Sequence, residues 1–260
     1  MPTWDSDLYY RFRAQRTQPS IDLIRRIPLD DPGDVVDLGC GPGNSTAELR
    51  RRWPKATITG IDCSEEMLTT ARASDSGVNW QLGDLATWNG ESRYDVVFSN
   101  AALQWLPDHQ TLLPRLFQRV NPSGVLAVQV PDHYDSALYR VLLEVSKQEA
   151  WSERMHSART SLTRHPVGFY YDVLSPLTSE FELWTTEYQH VMESHQSILQ
   201  FHRASGMRPY LEQLDGDEKL AFERQILAGY EKAFPLQADG RVLFPFRRLF
   251  FVARQPEAAK

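Results

Sequence analysis

The stretch Val35-Val-Asp-Leu-Gly-Cys-Gly-Pro-Gly43 decides the fold class of this 260-residue chain. A short apolar run ends in three closely spaced glycines, and a helical pattern from Ser45 to Trp53 follows directly. Glycine permits a tight turn and lets a ligand approach the backbone closely. The stretch therefore predicts a buried strand, a ligand-binding loop and the start of a helix.

Strands and helices alternate on the carboxyl side of this loop. Apolar segments that predict further strands occupy residues 57–62, 78–84, 95–100 and 124–130, with helical patterns between most of them. Alternation at this spacing is typical of βαβ units and a parallel sheet, and near-continuous apolar runs indicate strands buried on both faces. We expect an α/β fold with a doubly wound, mostly parallel seven-stranded sheet of the Rossmann-like kind.

The regular alternation of strands and helices ends after Pro131, where longer helical patterns separate two late strands. We expect a single domain over residues 1–260, with helical insertions that form a lid over the carboxyl edge of the sheet. Near the amino end we expect one helix up to about Arg16 and a second, permitted by Pro19, over residues 20–26. The predicted parts are N-terminal helices at 1–27, a cofactor-binding core at 33–133, helical insertions at 134–178 and 192–240, and late strands at 180–191 and 247–254.

Composition excludes several classes of protein. No run of about 18 apolar residues predicts a membrane span, and the N-terminus lacks the basic and apolar pattern of a secretory signal. The net charge of −6 argues against general nucleic-acid binding. Two cysteines, Cys40 and Cys63, form neither a disulfide framework nor a metal site of zinc spacing. We expect a reduced, cytoplasmic protein without a metal ion, a membrane or a nucleic acid as partner.

Polar residues stand where the predicted strands end, and ligands bind at the carboxyl ends of strands in open α/β sheets. Asp37 can accept from an ammonium group, and Asp62 can accept from both hydroxyls of a ribose. The alternative for Asp62 is a helix N-cap, although Ser64 can cap instead. Asp84 can accept from an exocyclic amine, and Asn100 ends the fourth strand.

These motifs together resemble the class I S-adenosylmethionine-dependent methyltransferases over residues 35–130. The resemblance implies that the glycine loop holds the methionine part of the cofactor, that Asp62 holds the ribose and that Asp84 holds the adenine. The alternative of a nicotinamide dehydrogenase is disfavoured because the glycines do not follow the Gly-x-Gly-x-x-Gly spacing. The predicted cofactor-binding residues are Asp37, Gly39, Cys40, Gly41, Gly43, Asp62, Cys63, Met67, Asp84, Leu85 and Asn100.

A closer resemblance, over nearly the whole chain, is to the trans-aconitate methyltransferase family within this class. It rests on stretches such as Leu103-Gln-Trp-Leu-Pro-Asp-His109, Gly206-Met-Arg-Pro209 and Arg248-Leu-Phe250, whereas residues 151–167 show no such match. The resemblance implies methyl transfer to one carboxylate of a small polycarboxylic acid. Such a carboxylate is ionised at neutral pH, so we expect positioning groups and no catalytic general base.

A polycarboxylate substrate requires cations, and arginine pairs with a carboxylate through two parallel hydrogen bonds. Tyrosine hydroxyls can add donors, and side chains after the fourth and fifth strands can wall the pocket. Each of these residues also has an ordinary alternative as a surface or core group. The predicted substrate-binding residues are Arg16, Gln104, Trp105, His133, Tyr170, Tyr171, Arg208 and Arg248.

Two other functions remain open at this stage. One is a methyltransferase for another small metabolite or for the carboxylate of an acyl-carrier-protein conjugate, which would favour an exposed basic docking face. The other is a non-catalytic regulator that binds S-adenosylmethionine.

Overall fold

A computed structural model describes residues 12–90, 92–132 and 134–257, apart from the side chain of Arg13. Its contacts divide the chain into two compact units. The sheet unit holds the described residues 16–90, 92–131, 163–186 and 248–257. The helical unit holds the described residues 12–15, 132, 134–162 and 187–247, and each unit has a hydrophobic core.

Seven strands form one sheet in the order β3-β2-β1-β4-β5-β7-β6. They are β1 (Asp34–Leu38), β2 (Thr57–Asp62), β3 (Asn79–Leu82), β4 (Tyr94–Asn100), β5 (Val120–Pro131), β6 (Phe181–Met192) and β7 (Val242–Arg254). The first five pair in parallel, whereas β7 pairs antiparallel with β5. The predicted doubly wound, mostly parallel seven-stranded sheet is confirmed.

One helix precedes β1, and others lie in most of the connections between the strands. They are α1 (Arg13–Arg25), α2 (Asn44–Arg52), α3 (Glu65–Ser74), α4 (His109–Phe117), α5 (Ala137–Ser146), α6 (His156–Arg159), α7 (Val167–Leu174), α8 (His195–Arg203), α9 (Arg208–Leu211) and α10 (Gly216–Ala233), with a 3₁₀ turn at Leu103–Trp105. The late strand β7 starts at Val242, ahead of the predicted 247.

The helix near the amino end differs from the prediction. The helix α1 is continuous through Pro19, so the expected break between about Arg16 and residue 20 is wrong, whereas the start of the first predicted helix lies outside the described residues. Proline lacks an N–H and removes one helical hydrogen bond, but it does not always end a helix. The carbonyl that loses its helical donor is that of Gln15, four residues before Pro19, and next to the proline the Ser20 hydroxyl donates to the Thr17 carbonyl at 2.7 Å.

The stretch at 151–167, which shows no match to the stretches that carry the family resemblance, has defined local structure where it lies in the helical unit. Trp151 is buried, and its indole N–H donates to the side chain of Gln225 at 2.8 Å. Arg159 donates to the carbonyls of Ser146 and Ser152. Of the helices that the structure describes, none has the length and apolar character needed to span a membrane.

Asp95, at the start of β4, joins the beginnings of three neighbouring segments of the sheet. Its Oδ2 accepts from the backbone N–H groups of Gly33 and Asp34, at 2.7 and 3.2 Å. Its Oδ1 accepts from the amide of Asn121 on β5 at 2.8 Å. Partial burial raises the pKa of Asp95, but these three hydrogen bonds outweigh burial and the net pKa lies below its ordinary value.

Replacing Asp95 with alanine should lower the free energy of unfolding by about 1–2 kcal/mol, because three donors lose a charged acceptor at a half-solvated site. A carboxyl whose pKa is lowered by folding stabilises the protein above its unfolded pKa, and this contribution is lost as the pH falls. The difference between wild type and Asp95→Ala in urea unfolding should therefore shrink below about pH 4. Asp31→Ala, at an exposed position, should change stability little at any pH; equal losses in both variants would contradict the assignment.

Candidate active site

The candidate site lies in the sheet unit, at the carboxyl ends of the parallel strands. Because β1 is flanked by β2 on one side and β4 on the other, the loops after these strands meet at the point where the strand order reverses. The loops are the glycine loop 39–43, Asp62, residues 83–85 and residues 100–105. The four predicted loops thus share one edge of the sheet.

The glycine loop has a backbone that other residues would not readily adopt. Gly39, Gly41 and Gly43 have φ angles of 74°, 55° and 91°, in the left-handed region. A Cβ on Gly39 would lie 2.2 Å from the Cβ of Ala102, whereas the Cβ position of Gly41 has no described atom within 4 Å. The loop therefore packs tightly against the exit of β4 at one glycine and leaves the backbone open at the next.

Asp37 is a buried carboxylate immediately before this loop. Its Oδ2 accepts from the hydroxyls of Ser45 and Thr46, at 2.7 and 2.6 Å. Its Oδ1 has no hydrogen-bond partner among the residues that the structure describes. Burial raises the pKa of Asp37 to about 6. The two hydroxyls lower this pKa in part, and the charge of Asp62 adds a smaller increase. A buried carboxylate with one unmet acceptor suits a cationic donor.

Asp62 at the end of β2 supports the glycine loop. Its Oδ2 accepts from the N–H of Gly41 at 2.8 Å, and its Oδ1 accepts from the N–H of Ser64 at 2.9 Å. Ser64 is the N-cap of α3, where its hydroxyl accepts from the N–H of Met67. Asp62 is therefore not the helix cap, and each of its oxygens keeps a further lone pair for hydroxyl donors.

The predicted adenine side combines exposed polar groups with buried apolar ones. Asp84 is exposed, and its Oδ1 accepts from the N–H of Ala86 at 2.9 Å. Leu85 and Met67 are buried. Cys63 is exposed, whereas Cys40 is buried, and burial together with the charges of Asp37 and Asp62 raises the pKa of its thiol.

Trp80, which was not predicted as a site residue, packs its ring on two glycines near this side. A Cβ on Gly60 would lie 2.4 Å from the Trp80 ring, and one on Gly43 would lie 3.0 Å from it. The indole N–H donates to the carbonyl of Asp75 at 2.8 Å. The signal in the sequence was the glycine inside β2, which marks a close approach by another group.

The exit of β4 has a strained backbone. Ala101 has a φ of 55°, a conformation that costs a non-glycine residue about 1–2 kcal/mol. Its N–H donates to the carbonyl of Gln129 on β5 at 3.0 Å. The preceding residue, Asn100, has a buried Oδ1 without a partner in the described part of the chain. Strain and an unmet acceptor at adjacent positions are typical of a ligand-binding edge.

The 3₁₀ turn after this exit carries two predicted substrate residues. Gln104 is buried, and its amide donates to the carbonyl of Ala101 at 2.7 Å. Its backbone carbonyl accepts from the N–H of Thr163 at 2.8 Å. Trp105 next to it is 41% exposed, so the turn presents one indole at the surface of the sheet unit.

Tyr170 is buried against α4. The Nε2 of His109 lies 2.8 Å from the carbonyl of Leu103, so this nitrogen carries the proton. The Nδ1 of His109 therefore accepts from the Tyr170 hydroxyl, at 3.0 Å. The Tyr170 hydroxyl thus donates to His109 in this arrangement, and a substrate contact through Tyr170 would require this hydrogen bond to change. Tyr171 is 54% exposed, and its ring lies near Phe181.

The predicted arginines differ in their surroundings. Arg248 on β7 is buried, and its Nη1 donates to the Oε1 of Gln129 at 3.3 Å. Arg208 lies in the helical unit and pairs with Glu212 at 2.8 Å. Arg16 is half-buried on α1, and His133 lies outside the described residues. Among the described side chains, no cluster of three or more histidine, cysteine or acidic residues is placed to hold a metal ion.

Comparison with known proteins adds three findings. A family model described as "Methyltransferase domain" matches residues 35–124. Trans-aconitate 2-methyltransferase of Azoarcus sp. is 46% identical over 97% of this chain and 99% of its own length, and that of Rhodopseudomonas palustris is 43% identical over 97% and 99%. A Haemonchus contortus phosphoethanolamine N-methyltransferase, solved with S-adenosylhomocysteine, shares the fold with a TM-score of 0.57 at 17% identity, over 92% of this chain and 52% of its own.

The strand order and the glycine loop at its reversal point define a class I methyltransferase. The near full-length relationship to curated relatives narrows the assignment. The chain belongs to the trans-aconitate 2-methyltransferase family.

Replacing Asp37 with asparagine should stabilise the ligand-free protein at neutral pH and weaken ligand binding. A carboxyl whose pKa is raised by folding destabilises the folded state increasingly as the pH rises from its unfolded pKa, near 4, to its folded pKa, here about 6, and fully above that. The variant should therefore gain about 2–3 kcal/mol at pH 7.5 and about half as much at pH 5. Its affinity for S-adenosylhomocysteine, which carries the same ammonium group as the cofactor implied by the resemblance, should fall about 10- to 100-fold.

Urea unfolding at the two pH values and calorimetric titration measure these effects, with the exposed Asp31→Asn as the matched control. A variant that is no more stable at pH 7.5 than wild type and binds the ligand equally well would contradict the role of Asp37.

Proposed function

We propose that this protein transfers the methyl group of S-adenosylmethionine to one carboxylate of trans-aconitate, which yields a monomethyl ester and S-adenosylhomocysteine. The observation that carries this proposal is Arg248, a buried cation on a strand of the same sheet that carries the glycine loop. Arg248 lies beside Gln129 at the edge of the sheet that holds the glycine loop, and the planar set of donors on a guanidinium fits a carboxylate through two parallel hydrogen bonds. The names of the curated relatives agree with this substrate.

The residues at the sheet edge fit the proposed cofactor. The unmet Oδ1 of Asp37 suits the ammonium of its methionine part, and the open backbone at Gly41 permits close approach. Asp62 would accept from the ribose hydroxyls, and Asp84 with Leu85 would face the adenine. When bound, the cofactor supplies a methyl group on a positively charged sulfur, which is a reactive electrophile.

The chemistry on the protein side is mainly positioning. A carboxylate with a pKa near 4 is ionised at neutral pH, so no side chain has to remove a proton from the attacking oxygen. The protein has to hold that oxygen in line with the methyl carbon and the sulfur and to exclude water. Arg248 would orient the substrate, and Gln104 and Trp105 would line its pocket, with Arg16, Arg208, His133, Tyr170 and Tyr171 as further proposed contacts.

The cytoplasmic location expected from the cysteine content stays part of this proposal, as does the absence of a nucleic-acid or membrane partner. The small, acidic substrate is consistent with both.

Methyl transfer from labelled S-adenosylmethionine should be strongest with trans-aconitate in a panel that also contains cis-aconitate, isocitrate and malonate. The reason is that fixed donors have to match the spacing of the carboxylates: cis-aconitate places one of them on the other side of the double bond, isocitrate has a saturated backbone, and malonate has only two carboxylates. Comparable kcat/KM values for all four acids would point to another carboxylate substrate. Cofactor binding without turnover on any acid would favour the non-catalytic regulator.

Replacing Arg248 with lysine should raise the KM for the acid about 10- to 100-fold, because the ammonium loses the planar pair of donors. The affinity for S-adenosylhomocysteine should stay within about twofold of wild type. Arg247→Lys is the matched control, since Arg247, the neighbour of Arg248 on β7, is exposed and pairs with Asp132 at 2.8 Å. Equal effects of the two substitutions on KM would contradict a substrate contact at Arg248.

A further inference from the structure

Gln129 is a buried polar side chain within an apolar strand. It has no exposed surface and stands between Val128 and Val130 on β5. Its Oε1 accepts from the Nη1 of Arg248. A guanidinium carries donors only, so the oxygen of the amide has to face Arg248 and the nitrogen has to face away. The orientation of the Gln129 amide is therefore determined by its neighbour.

The amide nitrogen of Gln129 is a buried donor without an acceptor among the residues that the structure describes. Unsatisfied buried donors are rare in folded proteins, since each forfeits its hydrogen bonds to water. A leucine or methionine at this position would fill the space without that cost. The donor is thus best explained by an acceptor that arrives with a ligand.

The register of the sheet places this donor among the other site groups. Asn100 on β4 pairs with Gln129 on β5, and Pro131, two residues further along β5, pairs with Arg248 on β7. Asp37 on β1 pairs with Phe98, two residues before Asn100. Side chains alternate between the faces of a sheet with a period of two, and paired residues share a face. Asp37, Asn100, Gln129 and Arg248 therefore lie on one face of the sheet.

Hydrogen-bond acceptors and donors occupy different strands on this face. The atoms without partners on β1 and β4 are acceptors, the Oδ1 of Asp37 and the Oδ1 of Asn100. On β5 the atom without a partner is a donor, the Nε2 of Gln129, and the cationic Arg248 lies beside it. Acceptors suit the ammonium of a cofactor, and donors suit an anion. The chain thus has a cation-binding half and an anion-binding half along a single sheet edge.

We infer that Gln129 is a specificity-determining residue, whose amide N–H binds a carboxylate of the substrate together with Arg248. The inference rests on the proposed function and deepens it. Pairing with an amide and a guanidinium withdraws charge from a carboxylate and makes it a poorer nucleophile. The bound carboxylate is therefore one that is not methylated, and Gln129 selects acids that carry such a second carboxylate.

Gln129→Glu tests this directly, because glutamate keeps an acceptor for Arg248 but replaces the amide donor with a second carboxylate oxygen. The KM for trans-aconitate should rise at least about 100-fold, since a like charge now faces the substrate. Calorimetric binding of propane-1,2,3-tricarboxylate to the protein saturated with S-adenosylhomocysteine should weaken similarly. The affinity for S-adenosylhomocysteine itself should stay within about twofold. Gln118→Glu, an exposed position with the same change of charge, should leave all three values unchanged.

Gln129→Met adds a test that a merely structural role would fail. In wild type, replacing trans-aconitate with a dicarboxylate that lacks one carboxylate should lower kcat/KM about 10- to 100-fold. In Gln129→Met that loss should be at least fivefold smaller, because the donor for the missing carboxylate is already gone. Equal losses in both proteins, or an unchanged KM in Gln129→Glu, would overturn the inference while leaving the proposed function in place. A wild-type protein that neither methylates nor binds any acid would instead overturn the proposed function.

Discussion

The close approach of the loop after β1 to the loop after β4 is the constraint on which the site depends. Gly39 and Ala102 lie so close that a Cβ on the glycine would be 2.2 Å from that of the alanine. The left-handed backbone of Gly39 and of Ala101 accompanies this contact. Because the strand order reverses between β1 and β4, these loops form the floor of the crevice in which open α/β sheets bind ligands.

Several residues of the candidate site lower the stability of the ligand-free protein. Burial opposes the ionisation of Asp37, and Ala101 holds an unfavourable backbone conformation. The described residues offer no acceptor to the amide nitrogen of Gln129. Each feature destabilises the ligand-free protein. The network around Asp95, at the opposite ends of the same strands, offsets part of this by joining the beginnings of β1, β4 and β5. One end of the sheet thus stabilises the strands and the other presents unsatisfied groups to ligands.

Local signals in the sequence were sufficient for the parts of the site that depend on a single strand and its loop. The three glycines, the acid at the end of β2 and the cap at Ser64 each follow from the residues next to them. The continuous helix through Pro19 was missed, because the cost of one lost hydrogen bond is offset by neighbouring interactions that propensity does not include. The His109–Tyr170 contact was also missed, since it joins residues 61 positions apart.

Gln129 shows why the anion-binding half of the site was harder to predict than the cation-binding half. Asp37 precedes a glycine loop and is recognisable within a few residues of sequence. Gln129 acquires its role only through Arg248, which is 119 positions later in the chain and reaches it because β7 inserts antiparallel beside β5. One polar residue in the apolar run 124–130 is the local sign of this pairing. The first five strands supply the groups suited to a cofactor and the amide of Gln129, and the antiparallel strand adds the cation that turns this amide into part of an anion site. In the proposed site, the late strand β7 therefore contributes to the choice of acid.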